Sequence, residues 1–377
     1  MKLSRVGTSL AMTAIAALTL AGCAGGGTPA ATDGAATDGA ASTDGASAGG
    51  SLSGNLEATG ASSMEKAQVN GWVPGFQAVQ PDVVVNYTAT GSGTGRENFL
   101  AGQSHFIGSD RAYKLDEISA GGFSLCADGT PLVEFPAYIS PIAIAYNLPG
   151  VESLKLDATV IANIFAGKIT TWNDPAIAAL NEGVELPSSN ITAVHRGDKS
   201  GTTGNFLSYL EEAAPEAWTY GTDDTFPAEL GGESADKTAG VAAAIEGGEN
   251  TIGYLDASAA SNLQVAEIKS GNDFVAYSPE AAAAVVGGSP LEEGREKTDV
   301  VYKLDYTGVE GAYPIVLVSY LIGCSEYKDA ATGELVKAYF EYVVSEEGQA
   351  AAVEAAQSAP ISDEVRTAAL DAIATIK

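Results

Sequence analysis

Positive charge is what this chain has least of. Its 377 residues include 19 Lys and Arg against 48 Asp and Glu, a formal charge of −29. Such a surface argues against nucleic acid and against anionic membranes as partners. Histidine is nearly absent: His105 and His195 lie far apart, with no Cys/His cluster, so no metal site is expected. The apolar run Leu10 to Leu20 is too short to span a bilayer comfortably. Nucleotide signatures are missing too. The glycine loop Gly91-Ser92-Gly93-Thr94-Gly95 does not fit Gly-x-Gly-x-x-Gly, and Lys199-Ser200 lacks the glycine spacing of a Walker loop.

What is present begins with an export signal over residues 1–23. Lys2 and Arg5 precede the apolar run, which ends in Leu20-Ala21-Gly22-Cys23. That tetrad resembles the lipobox of bacterial lipoproteins, which implies a lipid on Cys23. Residues 24–54 hold Gly, Ala, Ser, Thr and Asp without Lys, Arg or aromatics. Ala31-Thr32-Asp33-Gly34-Ala35 repeats at once as Ala36 to Ala40. Nothing there can bury a core, so a flexible tether is expected. With Cys23 assigned, Cys126 and Cys324 remain as a pair in an exported protein, and a disulfide between them is predicted.

From Asn55 the pattern alternates strand, loop and helix, which predicts an α/β fold with mostly parallel pairing. Strands are expected at Asn55–Thr59, Val83–Tyr87, Phe106–Asp110, Tyr138–Asn147, Ile191–Val194, Thr251–Leu255 and Pro314–Ile322. A helix carrying Val69, Trp72, Phe76 and Val79 should kink or restart at Pro74. Helices are also expected at Leu156–Phe165, after Asp174-Pro175, at Thr238–Ile245, and through the tail from Gly333.

The most informative stretch is Arg196-Gly197-Asp198-Lys199-Ser200-Gly201-Thr202. It follows a strand and enters a helix with Phe206, Leu207 and Leu210 on one face. The first N–H groups of a helix lack internal partners, and that end of the dipole is positive. Ser200 and Thr202 add hydroxyls, Gly201 allows close approach, and Arg196 adds a fork of donors. An N-cap is the ordinary reading of Ser-Gly-Thr. Arg196 and Asp198 just upstream turn it toward an oxyanion cradle.

Four pieces line up in order: Gly60-Ala61-Ser62-Ser63, Ala89-Thr90-Gly91-Ser92-Gly93, Phe106-Ile107-Gly108-Ser109-Asp110, and the Arg196–Thr202 stretch. Together they resemble the phosphate-binding proteins of the high-affinity bacterial phosphate importer, the PstS family. Supporting stretches are Tyr146-Asn147-Leu148-Pro149-Gly150, Ile164-Phe165-Ala166-Gly167-Lys168-Ile169 with Trp172-Asn173-Asp174, and Gly253-Tyr254. The resemblance covers roughly residues 55–375.

The resemblance implies a type II periplasmic-binding-protein fold with two α/β lobes around a ligand cleft. One lobe would be 55–137 plus 315–377, holding both Cys126 and Cys324; the other would be 138–314. It implies phosphate contacts from Ser63, Met64, Ser92, Asp110, Arg196, Ser200, Gly201 and Thr202, with Asp198 holding Arg196. It further implies no cofactor, a permease and an ATPase as partners, and a place on the outer face of the cytoplasmic membrane, in the periplasmic space where an outer membrane exists. Two positions depart from the family pattern. Ser63-Met64 stands where Thr-Phe is usual, and Lys199 replaces a small residue and is expected to face solvent.

The competing class is an acyl-transfer enzyme. Ser63-Met64-Glu65-Lys66, Ser188-Ser189-Asn190 and Lys237-Thr238-Ala239-Gly240 follow the order of penicillin-binding motifs, although Ala239 breaks the third.

Overall fold

The computed structural model describes residues 52–377. The expected export signal, Cys23 and residues 24–51 of the expected tether lie outside the described residues.

The strands are β1 (Gly54–Gly60), β2 (Val83–Ala89), β3 (Phe106–Ser109), β4 (Leu132–Asn147), β5 (Lys155–Leu156), β6 (Thr192–Arg196), β7 (Glu233–Ala235), β8 (Thr251–Asp256), β9 (Gln264–Val265), β10 (Glu267–Ser270), β11 (Asp273–Val275) and β12 (Val316–Cys324). The main sheet runs β2-β1-β3-β12-β4-β8-β6-β7, with β9 against β4; β5, β10 and β11 form a small second sheet.

Both ends of the main sheet are parallel, β1 with β2 and β3, β6 with β7 and β8. The centre is antiparallel, which the expectation of mostly parallel pairing did not include. The reason lies in the path of the chain. β4 pairs with β12 from Leu132 to Pro141, then with β8 from Ile142 to Asn147. It carries the chain from one half of the sheet to the other. β12 brings it back, so the two must run in opposite directions.

Every residue of β12 is buried, as is all of β4 except Asn147. Apolar runs of this kind are covered on both faces. β4 starts six residues before the expected Tyr138. Glu134 and Pro136 interrupt its apolar pattern. Pro136 is accommodated because the register with β12 shifts between Ser319 and Tyr320, leaving Ala137 unopposed.

The helix after β1 contains a π-turn, Ala67–Trp72, and continues as Val73–Val79 with Pro74 in the first turn. The wider turn rotates the following residues. Ala67, Trp72 and Phe76 are buried, whereas Val69 and Val79 are half exposed instead of joining the stripe. Asp157 accepts from the Val160 N–H and caps Ala158–Phe165, so Leu156 belongs to β5 rather than to that helix. Asp174 caps Pro175–Leu180 as expected. The Ala-rich stretch near 281–288 is a helix, Pro279–Gly288. The tail forms three, Ala330–Val344, Glu346–Ala356 and Asp363–Ile373. Cys126 and Cys324 form the predicted disulfide, closing a separation of 198 residues.

Asp256 sits at the end of β8, opposite Ile142, where β4 changes partners. It is fully buried, with the Ser258 N–H at 3.0 Å and the Tyr138 hydroxyl at 3.1 Å. Burial pushes its carboxyl from 3.8 up to about 6, against the pull of the Ser258 and Ser140 hydroxyls. The folded protein therefore binds this proton more tightly than the unfolded chain. Stability from this group is full below about pH 4 and is lost as pH rises through 6. Asp256→Asn is expected to raise stability at pH 7 by on the order of 2 kcal/mol. It should also flatten the decline across pH 4 to 6, read from melting temperatures over that range. A lower melting temperature for the variant at pH 7 would show that its donors favour the carboxylate.

Candidate functional site

The parallel pairing of β1, β2 and β3 sets their C-terminal ends level. Gly60 is registered against Ala89 on one side and Gly108 on the other. The segments that follow, Ala61–Met64, Thr90–Ser92 and Asp110, therefore lie side by side. A Cβ on Gly60 would collide with the Gly108 carbonyl, and Gly60 has φ 140°, so this junction requires glycine. Ser92 opens the helix Ser92–Leu100. On the other half of the sheet, β6 ends at Arg196, and the Ser200 side chain accepts from the Thr203 N–H to cap Gly201–Ala213. Strand ends followed by helix starts place unpaired N–H groups along one edge.

Asp110 is where the two sets of loops meet. Its Oδ1 accepts from the Ser63 hydroxyl at 2.5 Å and the Ser319 hydroxyl at 2.8 Å, and its Oδ2 from Thr202 at 2.8 Å. Its N–H donates to Ser92 Oγ at 3.1 Å, and its carbonyl accepts from Asn205 Nδ2 at 2.7 Å. A Cβ on Gly201 would lie 2.6 Å from Asp110 Cβ, so the loops approach this closely only because residue 201 is glycine. Asp110 is 3% exposed. Burial pushes its carboxyl above the ordinary range, while the three hydroxyls and Arg196 pull it down.

Arg196, also 3% exposed, donates from Nε and Nη2 to Asp198 at 2.7 and 2.6 Å. Asp198 additionally accepts the Lys237 N–H at 3.0 Å. Burial raises the Asp198 carboxyl, but the bonds from Arg196 outweigh it and hold it below the usual value. The side-on pairing through Nε and Nη2 leaves the Nη1/Nη2 edge of the guanidinium for another acceptor.

The loops of the two halves also touch elsewhere. The Gly93 N–H donates to the Lys199 carbonyl at 3.2 Å. The Ser62 hydroxyl lies 3.0 Å from that of Thr238 and accepts the Thr238 N–H. A Cβ on Gly91 would stand 2.7 Å from Asp198 Oδ2. Thus Ser63, Ser92, Asp110, Gly201 and Thr202 are in one contact network, Met64 is buried beside it, and Arg196, Asp198 and Ser200 adjoin it. Lys199 is largely exposed and pairs with Glu97.

Sequence reasoning missed Ser319, Asn205 and the buried pair Arg96–Asp224. A signal for Ser319 was available: it is a hydroxyl inside an otherwise apolar strand. Lys66 donates to the Ser258 carbonyl at 2.5 Å rather than to Ser63, and Ser189 bonds Asn250 at 2.6 Å. The acyl-transfer motifs therefore direct their hydrogen bonds elsewhere. Among the described residues, no group of three or more acidic, His or Cys side chains could hold a metal, and no helix is long and apolar enough to cross a membrane.

Residues 29–347 match the family described as a PBP superfamily domain. A high-affinity periplasmic phosphate-binding protein solved with phosphate bound at pH 8.5 has a similar structure, with a TM-score of 0.70 and 22% identity over 83% of this chain and 92% of that one. A phosphate-binding protein from Stenotrophomonas maltophilia gives 0.67 at 20% identity, over 85% and 94%. With the antiparallel crossing strands and the loops gathered at strand ends, these likenesses define the class of fold: the type II periplasmic-binding-protein fold. Closer relatives narrow it. Phosphate-binding protein PstS 3 of Mycobacterium leprae is 37% identical over 294 residues, 77% of this chain and 78% of that one. Its counterpart in Mycobacterium bovis is 36% identical over 352 residues, 91% and 92%. The PstS of Xylella fastidiosa is 31% identical over 267 residues, 68% and 69%. The chain belongs to the PstS family of phosphate-binding proteins.

Proposed function

We propose that the protein binds one inorganic phosphate between two lobes, residues 55–137 with 315–377 and residues 138–314, and delivers it to a membrane importer. The observation that carries this reading is the convergence on Asp110 and Arg196 of buried loops from both halves of the sheet. In this reading Ser63, Met64, Gly201 and Thr202 supply backbone N–H, and Ser92 and Ser200 supply hydroxyl or helix-start donors, while the Ser63 and Thr202 hydroxyls stay committed to Asp110. Arg196 offers its free edge, and the ionised Asp110 carboxylate accepts a hydrogen bond from a P–OH of the ligand. A chain of charge −29 repels phosphate at long range, so affinity rests on these short directed bonds.

The same reading places the protein outside the cytoplasm, held to the membrane by a lipid on Cys23 and by the tether that follows. There it would meet the permease and, through it, the ATPase of the importer.

Calorimetry on the purified protein is expected to show one phosphate per chain. Small-angle scattering should show a smaller radius of gyration with phosphate than without. No heat together with no compaction would rule the reading out.

A further inference from the structure

We propose that Asp224 is a positioning residue that latches the closed cleft, tying loops of both lobes together once phosphate is bound; this rests on the phosphate-binding reading of the site. Asp224 lies between the helix Gly201–Ala213 and β7, and it is 8% exposed. Its backbone carbonyl accepts the Ser200 N–H at 2.7 Å, which fixes the residue that caps the helix in the second lobe. Its carboxylate binds Arg96 Nη2 and Arg111 Nε, the latter at 3.1 Å. Both arginines belong to the first lobe. Arg96 is on the helix opened by Ser92, and Arg111 directly follows Asp110.

The connection continues past the ion pairs. Arg96 Nη1 donates to Ser109 Oγ at 2.6 Å, one residue before Asp110. The Tyr113 hydroxyl donates to the Arg96 carbonyl at 2.6 Å, and Arg111 is steadied by Glu117 at 2.7 and 3.0 Å. Asp224 thus reaches the Ser200 loop through its backbone, the Ser92 helix through Arg96, and the Asp110 loop through Arg111.

Other bonds between the lobes, those from Thr202 and Asn205 to Asp110 among them, are of a different kind. Ser62–Thr238, Gly93–Lys199 and Lys66–Ser258 involve at most one charged group each. Lys199–Glu97 joins two charges, but both side chains are more than half exposed, so water and salt screen it. The side chains of Arg96 and Asp224 are 6% and 9% exposed. Burial pushes the Arg96 guanidinium down, and Asp224 pulls it back up.

Opening the cleft would return these charges to water. Closing desolvates them again, and for a buried pair that cost nearly cancels the attraction. The pair therefore does not close the empty cleft by itself. Once phosphate has drawn the loops together, it resists their separation, so its effect falls on release rather than on capture. Without the carboxylate, Arg96 would be a buried cation lacking a counter-charge in the closed state.

The test is Asp224→Asn in the whole protein, with labelled phosphate chased by excess unlabelled phosphate. Dissociation is expected to accelerate by about tenfold or more, with association within about twofold of the parent. The melting temperature without phosphate should hold, while the rise produced by saturating phosphate should shrink. Arg96→Gln should behave alike, and the double variant should release phosphate no faster than the worse single one. A parental release rate for Asp224→Asn overturns the latch. So does a lowered melting temperature without phosphate that leaves the phosphate-induced rise unchanged, because it assigns Asp224 to the stability of one lobe. A parent protein that binds no phosphate at all fails at the earlier step and overturns the site together with the latch.

Discussion

Arg196→Ala is expected to weaken phosphate binding by about 3 kcal/mol, roughly a hundredfold in Kd. The loss has two parts. The first is the bidentate, charge-assisted contact from the free edge of the guanidinium. The second is Asp198. Arg196 now holds that carboxylate through two bonds, of 2.7 and 2.6 Å, and keeps it ionised. Without Arg196, a bare negative charge would remain beside the incoming anion. The two parts separate in a double variant: Arg196→Ala with Asp198→Asn should recover some of the affinity lost by Arg196→Ala alone. Arg196→Lys should fall between parent and alanine, because an ammonium keeps the charge but not the planar fork. Calorimetric titration at one fixed salt concentration reads all four proteins. An alanine variant within about twofold of the parent would mean that the guanidinium does not reach the ligand and that the site lies elsewhere.

Arg196, Ser200, Gly201 and Thr202 were legible in the sequence because their arrangement is local. A strand end, a hydroxyl, a glycine and a helix start follow one another within a few residues, whereas Ser63 and Ser92 were implied only by the resemblance to the PstS family. The alternation of strands and helices gave the α/β class for the same reason. What escaped depends on distance along the chain. Ser319 is 209 residues from the carboxylate it bonds, and Asp224 is 128 from Arg96. No periodicity reports such pairs; only the topology brings them together. The antiparallel centre of the sheet belongs here too, since it follows from the chain crossing between halves and returning. Two local features were hidden differently. The π-turn at Ala67–Trp72 rotates Val69 out of the stripe that a regular helix would give it, and the bulge at Ala137 lets a proline sit inside a buried strand. In both, a packing demand overrides the regular period.

Asp110→Asn is expected to narrow the preference for phosphate over sulfate by about tenfold or more, since opposed like charges cost several kcal/mol. A carboxylate has about four acceptor positions. The hydroxyls of Ser63, Ser319 and Thr202 occupy three, which leaves one for a proton carried by the ligand. Phosphate near neutral pH keeps a P–OH to donate there. Sulfate has none, so it would set acceptor against acceptor and charge against charge. The donors also settle what Asp110 does locally. They stand 47, 209 and 92 residues away, so the carboxylate is committed to joining distant elements rather than to capping the turn after β3. Asparagine should preserve that junction, because each hydroxyl can accept as well as donate. Its amide, however, offers an N–H to either anion. A second readout uses pH. Burial raises the Asp110 carboxyl above 3.8, so on acidification it takes up a proton earlier than an ordinary aspartate. Once protonated it can donate to sulfate, and the parent should lose selectivity as pH falls, while the asparagine variant stays flat. Competition of sulfate against labelled phosphate, for both proteins over a range of acid pH, measures the two effects together. An asparagine variant that excludes sulfate as strongly as the parent would move the discrimination from Asp110 to the hydroxyl and N–H donors around it.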